Sequence, residues 1–87
     1  MSMFDQLKQL KQLKEMQDQL KKERVEAEKN GVRIIMNGKM EIEEIFLNPD
    51  LGVNQQEKAV KDCANDAVRK VQMSLAQKMS QMGNFGL

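Results

Sequence analysis

Apolar and polar residues alternate in the middle of the chain, between two longer segments with helical spacing. From Val32 to Met36 apolar residues recur at every second position, and a second apolar run extends from Met40 to Leu47. Asn37-Gly38 stands between these runs, and both residues tolerate the positive φ of a tight turn. The pattern predicts a β-hairpin over residues 31–49.

The register of this hairpin follows from the need to keep apolar residues on one face. A three-residue loop pairs Ile34 with Ile42, whereas a two-residue loop exposes the apolar face. Ile45 then has the wrong parity, so we predict a β-bulge around Glu43-Glu44. Asn48-Pro49-Asp50 ends the strand because proline cannot continue a ladder.

The segment before the hairpin, residues 1–30, predicts a helix from about Phe4 to Lys29, with Asn30-Gly31 as its C-terminal stop. It opens with a Gln-Leu-Lys triplet repeated three times, which places a leucine at every third position from Leu7 to Leu13. At about 100° per residue, such a stripe moves about 60° around the helix with each repeat. The first half of this helix therefore offers apolar surface to more than one neighbour.

The segment after the hairpin predicts a second helix over residues 54–83. Asn54 can cap it, with Glu57 completing a capping box, and Gly83 is a plausible stop before a loose tail of residues 84–87. Its apolar residues follow helical spacing closely, so we expect it to be the main packing element. These residues are Val60, Cys63, Ala64, Ala67, Val68, Val71, Leu75, Met79 and Met82.

Together these elements predict a single α+β domain, residues 1–87, in the order helix, β-hairpin, helix, and they leave open a third short strand. A helix of about 26 residues is roughly 39 Å long, whereas a strand of about six covers roughly 20 Å. The hairpin cannot cover either helix, which predicts a homodimer with a shared antiparallel sheet and projecting helical arms. The residues expected at the dimer interface are Ile34, Met36, Ile45, Leu47, Ala64, Ala67, Val68, Val71 and Leu75.

Composition narrows the class of protein. The 87 residues are 40% hydrophobic and 31% charged, within the globular range, and no apolar run approaches the roughly 20 residues of a membrane span. Met1 to Phe4 leads directly into an amphipathic helix, so we expect no signal peptide. We expect the single cysteine, Cys63, to be a small buried core residue. Because one cysteine cannot form an internal disulfide, we also expect a reducing, cytoplasmic compartment.

The side chains that most enzymes need are missing. The sequence has no histidine, the commonest general base and metal ligand, and no phosphate loop, cysteine cluster or nucleophile motif. Carboxylate pairs such as Asp62 and Asp66 are routine on solvated helices. The sequence predicts a non-enzyme with no catalytic residue, metal, cofactor or small-molecule substrate.

Basic residues concentrate in two segments. Residues 6–14 and 67–87 each carry +3 and no acidic residue, so with a net charge of +1 the rest of the chain carries −5. Helices running antiparallel would bring both segments to one remote end, and such an arm can follow duplex phosphates through counterion release. Lysines on a helix are, however, most often only a solvated face. The residues expected to contact DNA are Lys8, Lys11, Lys14, Arg69, Lys70 and Lys78, followed by Lys21, Lys22 and Arg24.

The kind of nucleic acid follows from what the chain lacks. With no tyrosine or tryptophan and only three phenylalanines, stacking on single-stranded bases is disfavoured. No predicted helix has the sequence pattern of the recognition helix in a helix-turn-helix motif. We therefore expect binding of double-stranded DNA with modest or no sequence preference.

Four segments follow one another in a recognisable order, after a first helix rich in Gln, Met, Lys and Leu. They are Val32 to Lys39, Ile45 to Pro49, Asn65-Asp66-Ala67, and Lys78-Met79-Ser80 followed by Gly83. In this order they resemble the YbaB/EbfC family of nucleoid-associated proteins. The resemblance implies a small cytoplasmic bacterial DNA-binding protein of the nucleoid, a homodimer whose helical arms project from a β-rich body like tweezers.

Two parts of the chain depart from the family pattern. Members often have a glycine-rich segment before the first strand and a Pro-Gly-containing tail, while this chain has only Gly31 there and ends Asn84-Phe85-Gly86-Leu87.

A second hypothesis is a prefoldin-like chaperone or protein-interaction module. The order helix, hairpin, helix also builds chaperone jaws, and the eight methionines suit a promiscuous apolar surface. Prefoldin helices are generally much longer, and here lysine accompanies leucine on the arm. DNA binding is therefore the first prediction.

Overall fold

The computed structural model describes residues 3–86, with side chains described for residues 3–80. The elements are α1 (Met3–Lys22), β1 (Arg24–Lys29), β2 (Val32–Asn37), β3 (Ile42–Phe46) and α2 (Val53–Gly86). The three strands form one antiparallel sheet in chain order, with β2 in the centre. The predicted α+β class is confirmed.

Helix α2 packs across β1 and β2 and closes the core. Three of its buried residues are Ala59, Cys63 and Ala67, whose small side chains let the helix lie close to the sheet. Each buried CH2 group contributes about 0.8 kcal/mol, so the larger β2 side chains supply most of the stabilisation. The buried apolar residues are Ala27, Val32, Ile34, Met36, Ala59, Cys63, Ala67 and Val71.

The prediction that helix 1 continues to Lys29 was wrong, because Arg24–Lys29 forms strand β1. Val25 and Ala27 face the core, while Arg24, Glu26 and Glu28 point away from it. Glu, Ala and Lys favour helices, but pairing along the whole edge of β2 overrides that propensity.

Asn30-Gly31 is the tight turn between β1 and β2, so it does not end a helix. Both residues have positive φ, 51° and 84°, which is the requirement of a two-residue hairpin turn. Asn37-Gly38, the predicted turn, has no positive φ; in that loop Met40 adopts it, with φ 63°.

The loop between β2 and β3 is longer than predicted. Ile34 pairs with Ile45, and Met36 pairs with Ile42, so the predicted pairing of Ile34 with Ile42 was wrong. The predicted bulge is confirmed, because Glu43 is the extra residue between two paired positions. The bulge places Ile45 on the same face as Ile34.

The bounds of α2 differ from those predicted. The helix begins at Val53, and the Gly52 carbonyl accepts the Gln56 N–H at 2.8 Å, so Asn54 is not the cap. Gln56 also exchanges two hydrogen bonds with the Asn48 backbone. The helix continues through Gly83 to Gly86, so the predicted stop at Gly83 was wrong, and residues 84–86 of the predicted loose tail are helical. One glycine costs a helix only about 1 kcal/mol, which is too little to end it. The Met82 side chain and Leu87 lie outside the described parts.

The molecule is elongated. Its radius of gyration is 17.6 Å and its extents are 59 × 28 × 16 Å, whereas a compact chain of this length has a radius of about 12 Å. The excess comes from α1 and the end of α2, which extend beyond the body, defined as the sheet with residues 53–71 of α2.

We predict that Gly31→Ala destabilises the fold by about 1–2 kcal/mol, because alanine disfavours the left-handed backbone. Its Cβ would also lie 2.6 Å from Nδ2 of Asn48, which donates to the Asn30 carbonyl. Urea unfolding at fixed protein concentration measures the difference. Gly52→Ala adds a Cβ that meets nothing within 4 Å, but Gly52 precedes the first residue of α2, where alanine is itself a poor cap, so this variant shows the cost of a cap change without a clash. An unfolding free energy of Gly31→Ala equal to that of the unsubstituted protein would contradict the prediction.

A second prediction concerns the Cys63 thiol, which is fully buried and donates to the Ala27 carbonyl at 3.1 Å. Burial raises its pKa above the ordinary value. Its contribution to stability is therefore complete below the unfolded pKa and is lost as pH rises through the folded pKa. Alkylation at pH 8 should be at least ~100-fold slower in the folded chain than in urea, given a stability of about 5 kcal/mol or more. Similar rates would show that the site opens readily.

Candidate nucleic-acid interface

Helix α1 is an arm that contributes no side chain to the core. None of its residues, 3–22, is buried, and it meets the sheet at β2. There the Gly38 N–H donates to the Leu20 carbonyl at 2.9 Å. The whole length of α1 before that contact is open to a partner.

Five lysines lie on this arm, and all are exposed. None forms an ion pair with any residue that the structure describes. The first three follow the triplet repeat, so their charges wind around the helix beside the leucines. The five are Lys8, Lys11, Lys14, Lys21 and Lys22.

The other four predicted DNA contacts already have acidic or carbonyl partners. Their side chains remain 46–66% exposed, and exposed ion pairs contribute only about 0–1 kcal/mol, so a phosphate can compete for them. Their positive charge is nonetheless partly neutralised. The pairs are Arg69 with Asp66, Lys70 with Asp66 and the Glu26 carbonyl, Lys78 with Glu23, and Arg24 with Glu43.

Charge is segregated between the helices and the sheet. Residues 3–22 and residues 53–86 each carry a net charge of +2, and residues 23–50 carry −3. On the sheet face opposite α2, Arg33 pairs with Glu26 at 2.5 Å and its guanidinium lies 5.0 Å from the centre of the Phe46 ring. This face repels a polyanion more than either helix does.

The leucine stripe of α1 is uncovered in the protomer. Leu7, Leu10, Leu13 and Met16 are 56–62% exposed. The stripe leads into an apolar groove of about 430 Å³ between the end of α1 and the part of α2 beyond the core. The groove is lined by Met16, Gln19, Leu20, Glu23, Leu75, Lys78 and Met79.

A second apolar surface lies along β3, because α2 covers only β1 and β2. Ile42 and Ile45 share the α2 side of the sheet with their paired residues, yet each is 46% exposed. Lys70 of α2 contacts β1. The half-buried Val60 and Ala64 lie on the opposite flank of this helix. We call this surface the β3 flank: Ile42, Ile45, Leu47, Val60, Ala64 and Val68.

The predicted dimer residues divide between the core and this surface. Ile34, Met36, Ala67 and Val71 are buried in the protomer's own core and have no side-chain surface for a partner. Ile45, Leu47, Ala64 and Val68 belong to the β3 flank, and Leu75 lines the groove.

The predicted dimer interface included neither Ile42 of the β3 flank nor the leucines of the α1 stripe, although both are exposed apolar residues. The alternation of β3 was the available signal for Ile42, and the triplet repeat was the signal for the leucines.

Two other kinds of site are not found in the described part of the chain. Among residues 3–86, no helix combines the length and the apolar character that a membrane span requires. Within the same range, no three or more Cys, Asp or Glu side chains are grouped so that they could hold a metal ion.

Comparison with known proteins gives the family. The model of the YbaB/EbfC DNA-binding family matches residues 1–87, which confirms the resemblance seen in the sequence. A curated relative, a nucleoid-associated protein of Caldicellulosiruptor saccharolyticus, is 30% identical over 59 residues. The match covers 63% of this chain and 52% of the relative, so it spans about half the relative's length.

Proposed function

Because the chain belongs to the YbaB/EbfC DNA-binding family, we propose that it binds duplex DNA as a homodimer, mainly through backbone phosphates. The relative's description as a nucleoid-associated protein supports a place in the bacterial nucleoid and the cytoplasm. Binding, without catalysis, is the whole of the proposed activity.

One observation carries this proposal: the lysines of α1 are exposed and have no acidic partner among the described residues. A phosphate can contact them without first breaking an internal ion pair. Arg69, Lys70, Lys78 and Arg24 then make a secondary contribution, because each must leave its present partner.

Little sequence preference is expected from this arrangement. Lysine is a flexible point charge that follows phosphates, whereas base readout usually depends on side chains held at the groove. The apolar stripe also occupies part of the α1 surface, so the arm is not a uniform polar reading face. Affinity falls with salt, and each phosphate neutralised makes the negative slope of log affinity against log salt steeper by roughly 0.9.

The β3 flank supports the homodimer. The outer edge of β3 has no strand partner in the described part of the chain, and its apolar side chains lie beside the exposed flank of α2. An edge of this kind pairs readily with another strand. By contrast, β1 carries Arg24, Glu26, Glu28 and Lys29, and such charges discourage pairing. We therefore place the shared sheet at β3.

A chaperone-like module is the second candidate, because the α1 leucines and the groove offer apolar surface. The unpaired lysines are the observation against it, since a client-binding arm needs no run of free cations. Suppression of aggregation of an unfolded client by a protein that has no DNA affinity would favour this second candidate.

We predict that replacing Lys8, Lys11 and Lys14 together by glutamine weakens DNA binding and reduces its salt dependence. The magnitude of the negative slope of log affinity against log salt should decrease by roughly 0.9 for each replaced lysine that contacts a phosphate. Fluorescence anisotropy of a labelled duplex at several salt concentrations measures both effects.

The matched control for this variant is the triple change of the exposed Lys29, Lys58 and Lys61 to glutamine, which removes the same charge from the body. If the affinity of the two variants falls equally, net charge alone explains binding and the arm is not the site. Circular dichroism should show an unchanged fold, because no α1 residue is buried.

We also predict that Ile45→Lys converts the dimer into a monomer, because it places a charge in the β3 flank. Met73→Lys is the control, since Met73 is 67% exposed and lies outside that flank. Sedimentation velocity measures the mass of both. A dimer that survives Ile45→Lys, or that Met73→Lys disrupts equally, would place the interface elsewhere.

A further inference from the structure

The end of helix α1 is contacted by a backbone amide of the loop between β2 and β3. The Gly38 N–H donates to the carbonyls of Leu20 at 2.9 Å and Glu23 at 3.0 Å. The last carbonyls of a helix have no partner within the helix and form the negative end of its dipole. The Leu20 carbonyl also accepts the Glu23 N–H at 3.2 Å, and Gly38 adds to this local cap a shorter hydrogen bond from another part of the chain.

This position requires glycine for space, not for backbone conformation. Gly38 does not have the left-handed φ of Gly31, so other residues could adopt its backbone. A Cβ there, however, would lie 2.6 Å from the Leu20 carbonyl oxygen and 3.2 Å from its carbon and Cα. These are backbone atoms, so no side-chain rotation can relieve the contact.

The loop that carries Gly38 is itself fixed. Asn37 is buried, and its Oδ1 accepts the backbone N–H groups of Lys39 at 2.9 Å and Glu41 at 3.1 Å. Its Nδ2 donates to the Glu41 carboxylate at 3.1 Å. A buried polar group that satisfies both its donor and its acceptor resists displacement. Any added atom at Gly38 must therefore move α1 and not the loop.

Few other contacts hold the direction of the arm. The Glu23 and Lys78 side chains form an ion pair, but both are partly exposed. The groove lies open between the end of α1 and the neighbouring part of α2.

We propose that Gly38 is the positioning residue that sets the direction of the DNA-gripping arm. The effect of Gly38 on DNA binding rests on the proposed function. In the proposed homodimer, the direction of each arm sets the distance between the lysines of the two arms. The hydrogen bonds at Gly38 stand independently of DNA.

The test compares Gly38→Ala with Gly52→Ala, whose Cβ meets nothing within 4 Å. Spin labels on Gln12→Cys in α1 and Gln72→Cys in α2 report the direction of the arm, with labelled chains diluted into unlabelled protein so that distances within one chain are measured. Cys63 stays in place because it is buried.

We expect Gly38→Ala to shift or broaden the distance distribution. We also expect it to reduce the salt slope of DNA binding by about 0.9 for each phosphate that the displaced arm no longer reaches.

An unchanged distance distribution in Gly38→Ala would overturn the inference, and so would a changed distribution with unchanged DNA binding. If Gly38→Ala does not fold, hydrogen exchange of the unsubstituted protein decides: the Gly38 amide should be as protected as those of β2, and rapid exchange would overturn the anchor. Absence of DNA binding by the unsubstituted protein would refute the proposed function, while the distance and exchange measurements would still decide whether Gly38 holds the arm.

Discussion

The packing of one helix on two strands is the constraint on which the rest of the structure depends. A helix is about 10 Å across and strands are about 4.8 Å apart, so α2 can cover about two strands. It covers β1 and β2 and buries small residues against them, which brings it close enough to close a core of eight buried apolar side chains among residues 3–80. Strand β3 and most of helix α1 then lie outside the reach of α2, and both keep apolar surface that is exposed in the protomer.

The distribution of charge follows the same division. Residues outside the core need not be apolar, because they are not buried. Helix α1 has no buried residue and carries five lysines. The sheet carries the excess of acid, and its two arginines, Arg24 and Arg33, form ion pairs with glutamates. Under the proposed function, this division attracts a duplex to the helices and repels it from the sheet, and such a field orients a charged partner before specific contacts form.

The apolar spacing of α2 and the strand parity of Ile45 were informative signals in the sequence. The spacing predicted that α2 is the main packing element and that Cys63 is a core residue, and the parity predicted the bulge. Ala67 and Val71 were predicted at the dimer interface, but they are buried in the protomer's own core, because the sequence does not tell which neighbour covers an apolar stripe. The errors arose where two local signals were equivalent. The chain has two Asn-Gly pairs, and both lie in hairpin loops: Asn37-Gly38 begins the β2–β3 loop as predicted, whereas Asn30-Gly31, predicted as a helix end, is the β1–β2 turn because residues 24–29 pair with β2. The role of Gly38 could not be predicted, since the space it needs is set by a carbonyl of another element.

Helix α1 has no residue in the core, and this separates the length of the arm from the stability of the fold. The Gln-Leu-Lys triplet at its start is a unit of about 4.5 Å that also turns the helix by about 60°. Gain or loss of one triplet during evolution would change the reach of the arm and the side on which its lysines lie, yet leave every core contact intact. The same sheet and core can therefore carry arms of different lengths, and insertions should be tolerated in α1 in steps that α2, with its continuous buried stripe, could not accept.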